Sequence, residues 1–209
     1  MTSTTTPPTG WIHQFEKGTS DLTLLLLHGT GGNETSLWQL GRELAPQASL
    51  LSVRGRSLEE GSPRFFRRFS DIRYDQEHLK SEADALTTFV QEASQHYGFD
   101  PAKGVALGYS NGANIAVASL IRHPESLAGA VLWRPVMPLE APVQVPLTAK
   151  PVLITLGAMD PYRPYARALL SYLQDSGAEV QTEELSSGHQ LTRQDLMLTQ
   201  RWLQQHFSA

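Results

Sequence analysis

The chain has 209 residues, of which 40% are hydrophobic and 18% charged, so it is long enough to bury a full core. Its formal net charge of −4 provides no general attraction to nucleic acid or to an anionic membrane surface. The absence of cysteine excludes disulfides, thiolate catalysis and cysteine-based metal sites. We therefore expect a soluble, cytoplasmic protein that has neither nucleic acid nor membrane as a partner.

The first ten residues differ from the rest of the chain. Residues 1–10 are rich in Thr, Ser and Pro and lack the basic and apolar regions of a secretory signal, so we expect a frayed tail there. Residues 11–209 are expected to form a single domain. The longest purely apolar run, Leu24 to Leu27, is far shorter than the roughly 20 residues that cross a bilayer.

Short apolar runs alternate with segments of helical spacing along the remainder of the chain. The predicted strands, in order, are residues 11–17, 22–27, 49–53, 104–107, 129–133, 151–156 and 179–185. The predicted helices are residues 34–45, 76–97, 111–122, 162–176 and 192–206. This alternation predicts an α/β fold with a mostly parallel central sheet, right-handed crossovers and helices on both faces.

Two stretches fit neither pattern. Residues 54–75 carry a run of arginines, and residues 135–151 hold five prolines. Long irregular loops in a compact domain are often functional, so we expect both stretches to form walls of a binding cleft.

Residues 104–112 read GVALGYSNG, an apolar run that ends in the pattern Gly-x-Ser-x-Gly with Ser110 at its centre. A predicted helix follows at once. This setting is typical of a nucleophile elbow, in which Gly108 and Gly112 leave room on either side of a sharp turn and the serine Oγ is lifted clear of the sheet. Ser110 is therefore the predicted nucleophile.

A serine hydroxyl needs a base within hydrogen-bond reach, and an acid must orient that base. Asp160 follows the predicted strand 151–156, and His189 follows the predicted strand 179–185. Both residues thus lie at carboxyl ends of strands, where parallel sheets place their sites. Either one alone is more often a turn or loop residue, but their order after Ser110 predicts a Ser110–His189–Asp160 triad.

The glycine-rich segment 28–33, His-Gly-Thr-Gly-Gly-Asn, follows the strand at 22–27. We predict that the backbone N–H groups of Thr30 and Asn111 stabilise the oxyanion that forms when the serine attacks a carbonyl group. A phosphate-binding turn is the alternative. The segment lacks the lysine of a P-loop and the GxGxxG spacing.

Arg54, Trp133 and Tyr162 are candidate substrate contacts, and core packing is the alternative for the two aromatic residues. The arginines of residues 54–68 either bind an acidic group of the substrate or form salt bridges with neighbouring acids. Little of the chain is left for a large lid, so we expect an open site suited to small or medium acyl esters.

The chain resembles the α/β-hydrolases of the phospholipase/carboxylesterase family, and within it the small single-domain esterases. The resemblance rests on the motifs LHG at 27–29 with GG at 31–32, GYSNG at 108–112, GAMDP at 157–161 and GHQL at 188–191. Residues 54–68 also resemble a branch typified by the hydrolases named for methylhydroquinone resistance. The resemblance implies an α/β-hydrolase fold, hydrolysis of esters or thioesters without a metal or other cofactor, and a possible homodimer.

Together these features predict a serine carboxylesterase that hydrolyses small to medium acyl esters through an acyl-enzyme intermediate. Two alternatives remain open at this point. One is a thioesterase or perhydrolase that uses the same triad, and the other is a catalytically weak α/β-hydrolase that serves as a ligand-binding protein.

Overall fold

The computed structural model describes residues 10–207, so the predicted tail lies outside the described residues apart from Gly10. The described part of the chain contains eleven strands and five α-helices. The strands are β1 His13–Glu16, β2 Thr23–Leu27, β3 Ser49–Val53, β4 Ser57–Glu59, β5 Ser62–Arg64, β6 Arg68–Ser70, β7 Arg73–Tyr74, β8 Gly104–Tyr109, β9 Gly129–Trp133, β10 Pro151–Gly157 and β11 Glu179–Leu185. The helices are α1 Trp38–Leu44, α2 Gln76–Tyr97, α3 Asn111–Arg122, α4 Ala166–Asp175 and α5 Arg193–His206.

Seven of the strands form the central sheet, in the order β1-β3-β2-β8-β9-β10-β11. Strand β1 runs antiparallel to β3, and every other neighbouring pair in this sheet is parallel. The predicted mostly parallel sheet is therefore confirmed. The carboxyl ends of the parallel strands meet at one edge of the sheet, and the polar loops that follow β2, β8, β10 and β11 lie together there.

Two apolar layers cover the sheet, one on each face. The leucines of β2 contribute to both layers: Leu25 and Leu27 belong to one buried cluster, and Leu24 and Leu26 belong to the other. Buried side chains of α2, α3 and α4 complete the first cluster, and those of α1 and α5 complete the second. Helices on both faces thus bury the continuous apolar strands from either side.

Two predicted helices begin four residues later than expected. Helix α1 starts at Trp38 instead of residue 34, because Asn33 and Ser36 form local turns in which the Asn33 side chain accepts from Thr35 N at 2.8 Å and the Ser36 hydroxyl accepts from Asn33 N at 2.9 Å. Helix α4 starts at Ala166, after a short 3₁₀ turn over Arg163–Tyr165.

The arginine-rich stretch, expected to be an irregular loop, consists largely of two short hairpins. Strand β4 pairs with β5, and β6 pairs with β7. The two residues between β4 and β5, Glu60 and Gly61, both have positive φ angles of 50° and 80°, as a tight hairpin turn of the primed type requires. None of the helices within residues 10–207 combines the length and the apolar composition needed to cross a bilayer.

Candidate active site

Ser110 lies on the sharp turn between β8 and α3, with backbone angles φ 52° and ψ −112°. The two positions that flank the turn must be glycine, because neither has room for a Cβ atom. A Cβ atom on Gly112 would lie 2.0 Å from the carbonyl oxygen of Leu27, and one on Gly108 would lie 2.5 Å from the carbonyl oxygen of Gly112. The turn therefore packs backbone directly against backbone, which leaves the Ser110 side chain facing the edge of the sheet.

The structure brings Ser110, Asp160 and His189 together. His189 Nε2 lies 2.9 Å from Ser110 Oγ, and His189 Nδ1 lies 2.7 Å from Asp160 Oδ2. Since a carboxylate only accepts, the proton of the neutral imidazole belongs on Nδ1, and Nε2 is free to accept from the serine hydroxyl. The other carboxylate oxygen of Asp160 accepts from the backbone N–H of Tyr162 at 2.9 Å, which fixes the plane of the buried carboxylate.

Arg134, which follows β9, holds the loop that carries His189. Its guanidinium donates to the carbonyl oxygens on both sides of the histidine, from Nε to Gly188 at 3.2 Å and from Nη2 to Gln190 at 3.1 Å. The side chains of Arg134 and Asp195 form an ion pair at 2.7 Å that is fully buried on both sides. Sequence reasoning missed this residue, although a cation directly after the buried run of β9 was a signal.

The carboxylate of Asp195 stays ionised in this buried position. Burial by itself would raise the pKa of Asp195, but hydrogen bonds from Arg134 and Thr155 outweigh the burial and leave that pKa below its usual value. The same carboxylate accepts from the backbone and hydroxyl of Thr192 at the start of α5. The ion pair therefore joins β9, β10, the His189 loop and α5.

Two tyrosines enclose His189. The ring of Tyr162 meets the imidazole edge to face at a centroid distance of 5.2 Å, and the Tyr109 hydroxyl donates to the carbonyl oxygen of His189 at 3.2 Å. Both tyrosines line the pocket that contains Ser110. Contact between Tyr162 and a substrate stays a prediction that is consistent with this position.

Thr30 and Asn111 also line this pocket, whose volume is about 270 Å³. Asn111 is the first residue of α3, so its backbone N–H has no acceptor within the helix and lies at the positive end of the helix dipole. The loop of Thr30 is tied to the first hairpin, because Gly31 N donates to Pro63 O at 2.9 Å and Arg64 donates to Thr30 Oγ1 at 2.6 Å. The N–H of Asn111 is thus available for the predicted oxyanion role, Thr30 lines the same pocket, and the oxyanion role of both stays a prediction.

Two of the candidate substrate contacts, Trp133 and Arg54, lie outside the lining of the Ser110 pocket. Trp133 is fully buried and donates through Nε1 to Thr199 Oγ1 at 3.0 Å, because the pleat of β9 directs its side chain toward α5. Arg54 is drawn to Glu34, where two hydrogen bonds of 2.5 and 2.8 Å hold it away from the lining of the Ser110 pocket. Trp133 thus takes the core position that was its alternative, and Arg54 forms a salt bridge, which was the alternative for the arginines of residues 54–68.

The sheet, the serine elbow and the adjacent histidine and aspartate define a serine hydrolase of the α/β-hydrolase class. Residues 14–207 match the family model described as Phospholipase/Carboxylesterase. The chain belongs to that family and is, with it, an ester hydrolase.

Three relatives show how far the likeness extends. The MhqD protein of Bacillus subtilis (strain 168), named as a hydrolase, is 42% identical over 193 residues, which cover 91% of this chain and 96% of MhqD. The crystal structure of a Bacillus cereus carboxylesterase is 40% identical, with a TM-score of 0.91 over 94% of this chain and 95% of that one. A structure of YahD with malic acid is 32% identical, with a TM-score of 0.89 over 94% of this chain and 100% of that one.

Proposed function

We propose that this protein is a serine carboxylesterase that hydrolyses small to medium acyl esters through an acyl-enzyme intermediate. The observation that carries the proposal is the position of His189 between two partners, 2.9 Å from Ser110 Oγ and 2.7 Å from Asp160 Oδ2. A base within hydrogen-bond reach of a serine, itself oriented by a buried acid, is the arrangement that activates a hydroxyl for attack on a carbonyl carbon.

The first half of the reaction forms the acyl-enzyme. Ser110 Oγ attacks the ester carbonyl carbon while His189 Nε2 takes the hydroxyl proton, and Asp160 stabilises the resulting imidazolium. The carbonyl oxygen becomes an oxyanion, which the backbone N–H groups of Thr30 and Asn111 stabilise. When the tetrahedral intermediate collapses, His189 donates its proton to the departing alcohol.

The second half reverses these roles with water as the nucleophile. His189 removes a proton from the water as its oxygen attacks the acyl carbon, and the proton returns to Ser110 Oγ as the carboxylic acid leaves. The pocket volume of about 270 Å³ favours short acyl groups. That the related YahD was solved with malic acid supports a pocket of this kind, open to small polar molecules.

The test is steady-state hydrolysis of p-nitrophenyl esters from acetate to palmitate by the wild type and by Ser110→Ala. We expect turnover of the short and medium esters and a loss of about 10⁴-fold or more in the variant. Ser81→Ala, at an exposed serine of α2, is the matched control and should retain full activity.

The two alternatives give different results in the same experiment. Equal activity in wild type and Ser110→Ala would remove Ser110 as the nucleophile. Absence of turnover by the wild type on every oxygen ester would reject the carboxylesterase. Hydrolysis of acyl thioesters would then identify a thioesterase. Absence of thioester hydrolysis as well would favour the ligand-binding protein.

A further inference from the structure

Arg64 differs from the other arginines of residues 54–68 in how its charge is balanced. Each of the others has a carboxylate within 2.9 Å and is at least partly open to water: Arg54 with Glu34, Arg56 with Glu82, Arg67 with Asp75, and Arg68 with Glu59 and Asp71. Arg64 is only 3% exposed. Among residues 10–207, the one carboxylate that contacts it is that of Glu59, at 3.3 Å from Nε.

That one carboxylate belongs mainly to Arg68. Glu59 accepts from Arg68 Nε through both of its oxygens, at 2.9 and 3.0 Å, and its side chain is 38% exposed. Water therefore screens much of its attraction for Arg64. Asp71, the other acid of the cluster, contacts Arg68 and is still more exposed. The cluster is neutral in formal charge, but both acids lie at its Arg68 end.

The guanidinium of Arg64 keeps donors that face the pocket. Within the described part of the chain it donates from Nη1 to Thr30 Oγ1 at 2.6 Å and from Nε to Phe66 O at 3.3 Å, and these bonds leave Nη2 without an acceptor. Arg64 and Arg68 both line the pocket of Ser110. Burial lowers the pKa of Arg64, and the neighbouring Arg68 lowers it further, as expected for a buried cation that lacks a close counter-ion.

The other charged groups at the pocket do not supply that counter-ion. Arg134 is neutralised by Asp195, and Asp160 is engaged by His189. A buried cation is stabilised strongly by an anion that satisfies its remaining N–H groups. A carboxylate brought in by the substrate would do so at Arg64.

The geometry of the reaction indicates which part of the substrate carries this carboxylate. The departing alcohol must lie beside His189, because it receives the proton of Nε2. Arg64 instead contacts Thr30, on the side proposed for the oxyanion. The acyl part of the ester, which does not have to approach His189, can therefore extend toward Arg64.

We propose that Arg64 binds a free carboxylate at the end of the acyl chain, so that the preferred substrates are monoesters of short dicarboxylic acids. This inference rests on the proposed esterase function and specifies its substrate class. Hydrolysis of such a monoester consumes one water and releases the alcohol, the dicarboxylate and one proton.

The test compares two esters of similar shape, monoethyl adipate and ethyl 6-methylheptanoate, in which an isopropyl group replaces the carboxylate. Proton release is followed in a pH-stat for wild type, Arg64→Met, Arg64→Lys and the control Arg67→Met, at an exposed arginine outside the pocket. We expect the wild type to favour monoethyl adipate by about tenfold or more in kcat/KM. Arg64→Met also removes the hydrogen bond to Thr30, so we expect it to lower kcat/KM for monoethyl adipate about 10- to 100-fold more than for the neutral ester.

The remaining outcomes decide the inference in the same way. Partial recovery of the preference by Arg64→Lys supports a role of the charge, and Arg67→Met should change neither ester. An equal loss on both esters in Arg64→Met would overturn the inference, because Arg64 would then act only by holding the loop of Thr30. Absence of any preference in the wild type would also overturn it.

A binding experiment separates failure of this inference from failure of the proposed function. Calorimetric titration of Ser110→Ala with adipate requires no turnover. We expect binding that weakens about tenfold or more in Ser110→Ala/Arg64→Met. No adipate binding, in a protein whose wild type hydrolyses neutral esters, overturns the substrate class alone. Adipate binding through Arg64, in a protein whose activity does not depend on Ser110, overturns the proposed mechanism and supports the carboxylate site.

Discussion

Replacing Arg134 with methionine should weaken both the fold and the reaction. The change removes the cation of a fully buried ion pair and leaves the carboxylate of Asp195 in the interior. It also removes the donors for the carbonyl oxygens of Gly188 and Gln190, which flank His189. Methionine fills much of the same volume, so the effect comes from lost polar contacts more than from a cavity.

The expected loss of unfolding free energy in Arg134→Met depends on the hydrogen bonds that Asp195 retains. Removing one member of a buried ion pair costs roughly 3–5 kcal/mol of unfolding free energy. Asp195 retains hydrogen bonds from Thr155 Oγ1 at 2.6 Å and from Thr192 N at 2.8 Å, so we expect a value near the lower end, about 3 kcal/mol. A displacement of about 1 Å at a catalytic group can lower the rate by ~10²-fold, and we expect a loss of that order in kcat/KM.

The assay is urea unfolding at pH 7.5 together with steady-state hydrolysis of p-nitrophenyl acetate. Arg122→Met is the matched control, because the Arg122–Asp84 pair is partly exposed and should cost no more than about 1 kcal/mol. A double-mutant cycle with Asp195→Leu should give a coupling energy of about 2 kcal/mol. A loss of less than 1 kcal/mol in Arg134→Met, or a kcat/KM that does not change, would refute the reasoning.

Three further predictions each concern a substitution at one residue. Trp133→Phe should lose the hydrogen bond to Thr199 and about 1–2 kcal/mol of stability, with KM for p-nitrophenyl acetate unchanged; an altered KM would contradict its position away from the pocket. Gly112→Ala should lower the melting temperature far more than Gly61→Ala. A Cβ atom at position 112 would lie 2.0 Å from the Leu27 carbonyl oxygen, whereas a Cβ atom at Gly61 would meet open space and only the positive φ angle opposes it. Similar losses in the two variants would contradict the clash. Burial lowers the pKa of His28 from the reference value of 6.5, so below pH 6.5 the unfolded chain binds more protons and stability falls, by at most about 1.4 kcal/mol per pH unit. His28→Gln should therefore show a smaller loss than wild type in urea unfolding between pH 7.5 and pH 5.5, and identical losses would argue against this assignment.

Where local signals agreed, the sequence predicted the elements to the residue. Helix α2 has a capping aspartate, Asp75, whose side chain accepts from His78 N, and it ends at Gly98 in the left-handed conformation. Helix α3 is fixed at its start by the serine elbow. The strands 49–53, 129–133 and 179–185 are bounded in the same way by changes in hydrophobic pattern.

What the sequence left open or missed was decided by contacts between distant residues. Trp133 lies at the end of its strand, as many pocket residues do, but the direction of its side chain depends on the pleat and on Thr199 of α5. Arg54 is neutralised by Glu34, twenty positions away in the chain. The hairpin turn at Glu60 and Gly61 lacks the Asn-Gly or Asp-Gly signal that such turns usually carry.

The roles of the two buried arginines of the site, Arg64 and Arg134, could not be told apart from their positions in the sequence. Their charged partners in the structure distinguish the two roles. Both reach across to a loop of the site, Arg134 to the loop of His189 and Arg64 to the loop of Thr30. Arg134 has a fully buried carboxylate of its own, so a ligand anion would compete with Asp195 and gain little. Arg64 shares a half-exposed carboxylate with Arg68, so an incoming anion would fill a position that the protein leaves largely open. How each charge is balanced therefore distinguishes the arginine that supports the site from the arginine that we expect to select the substrate.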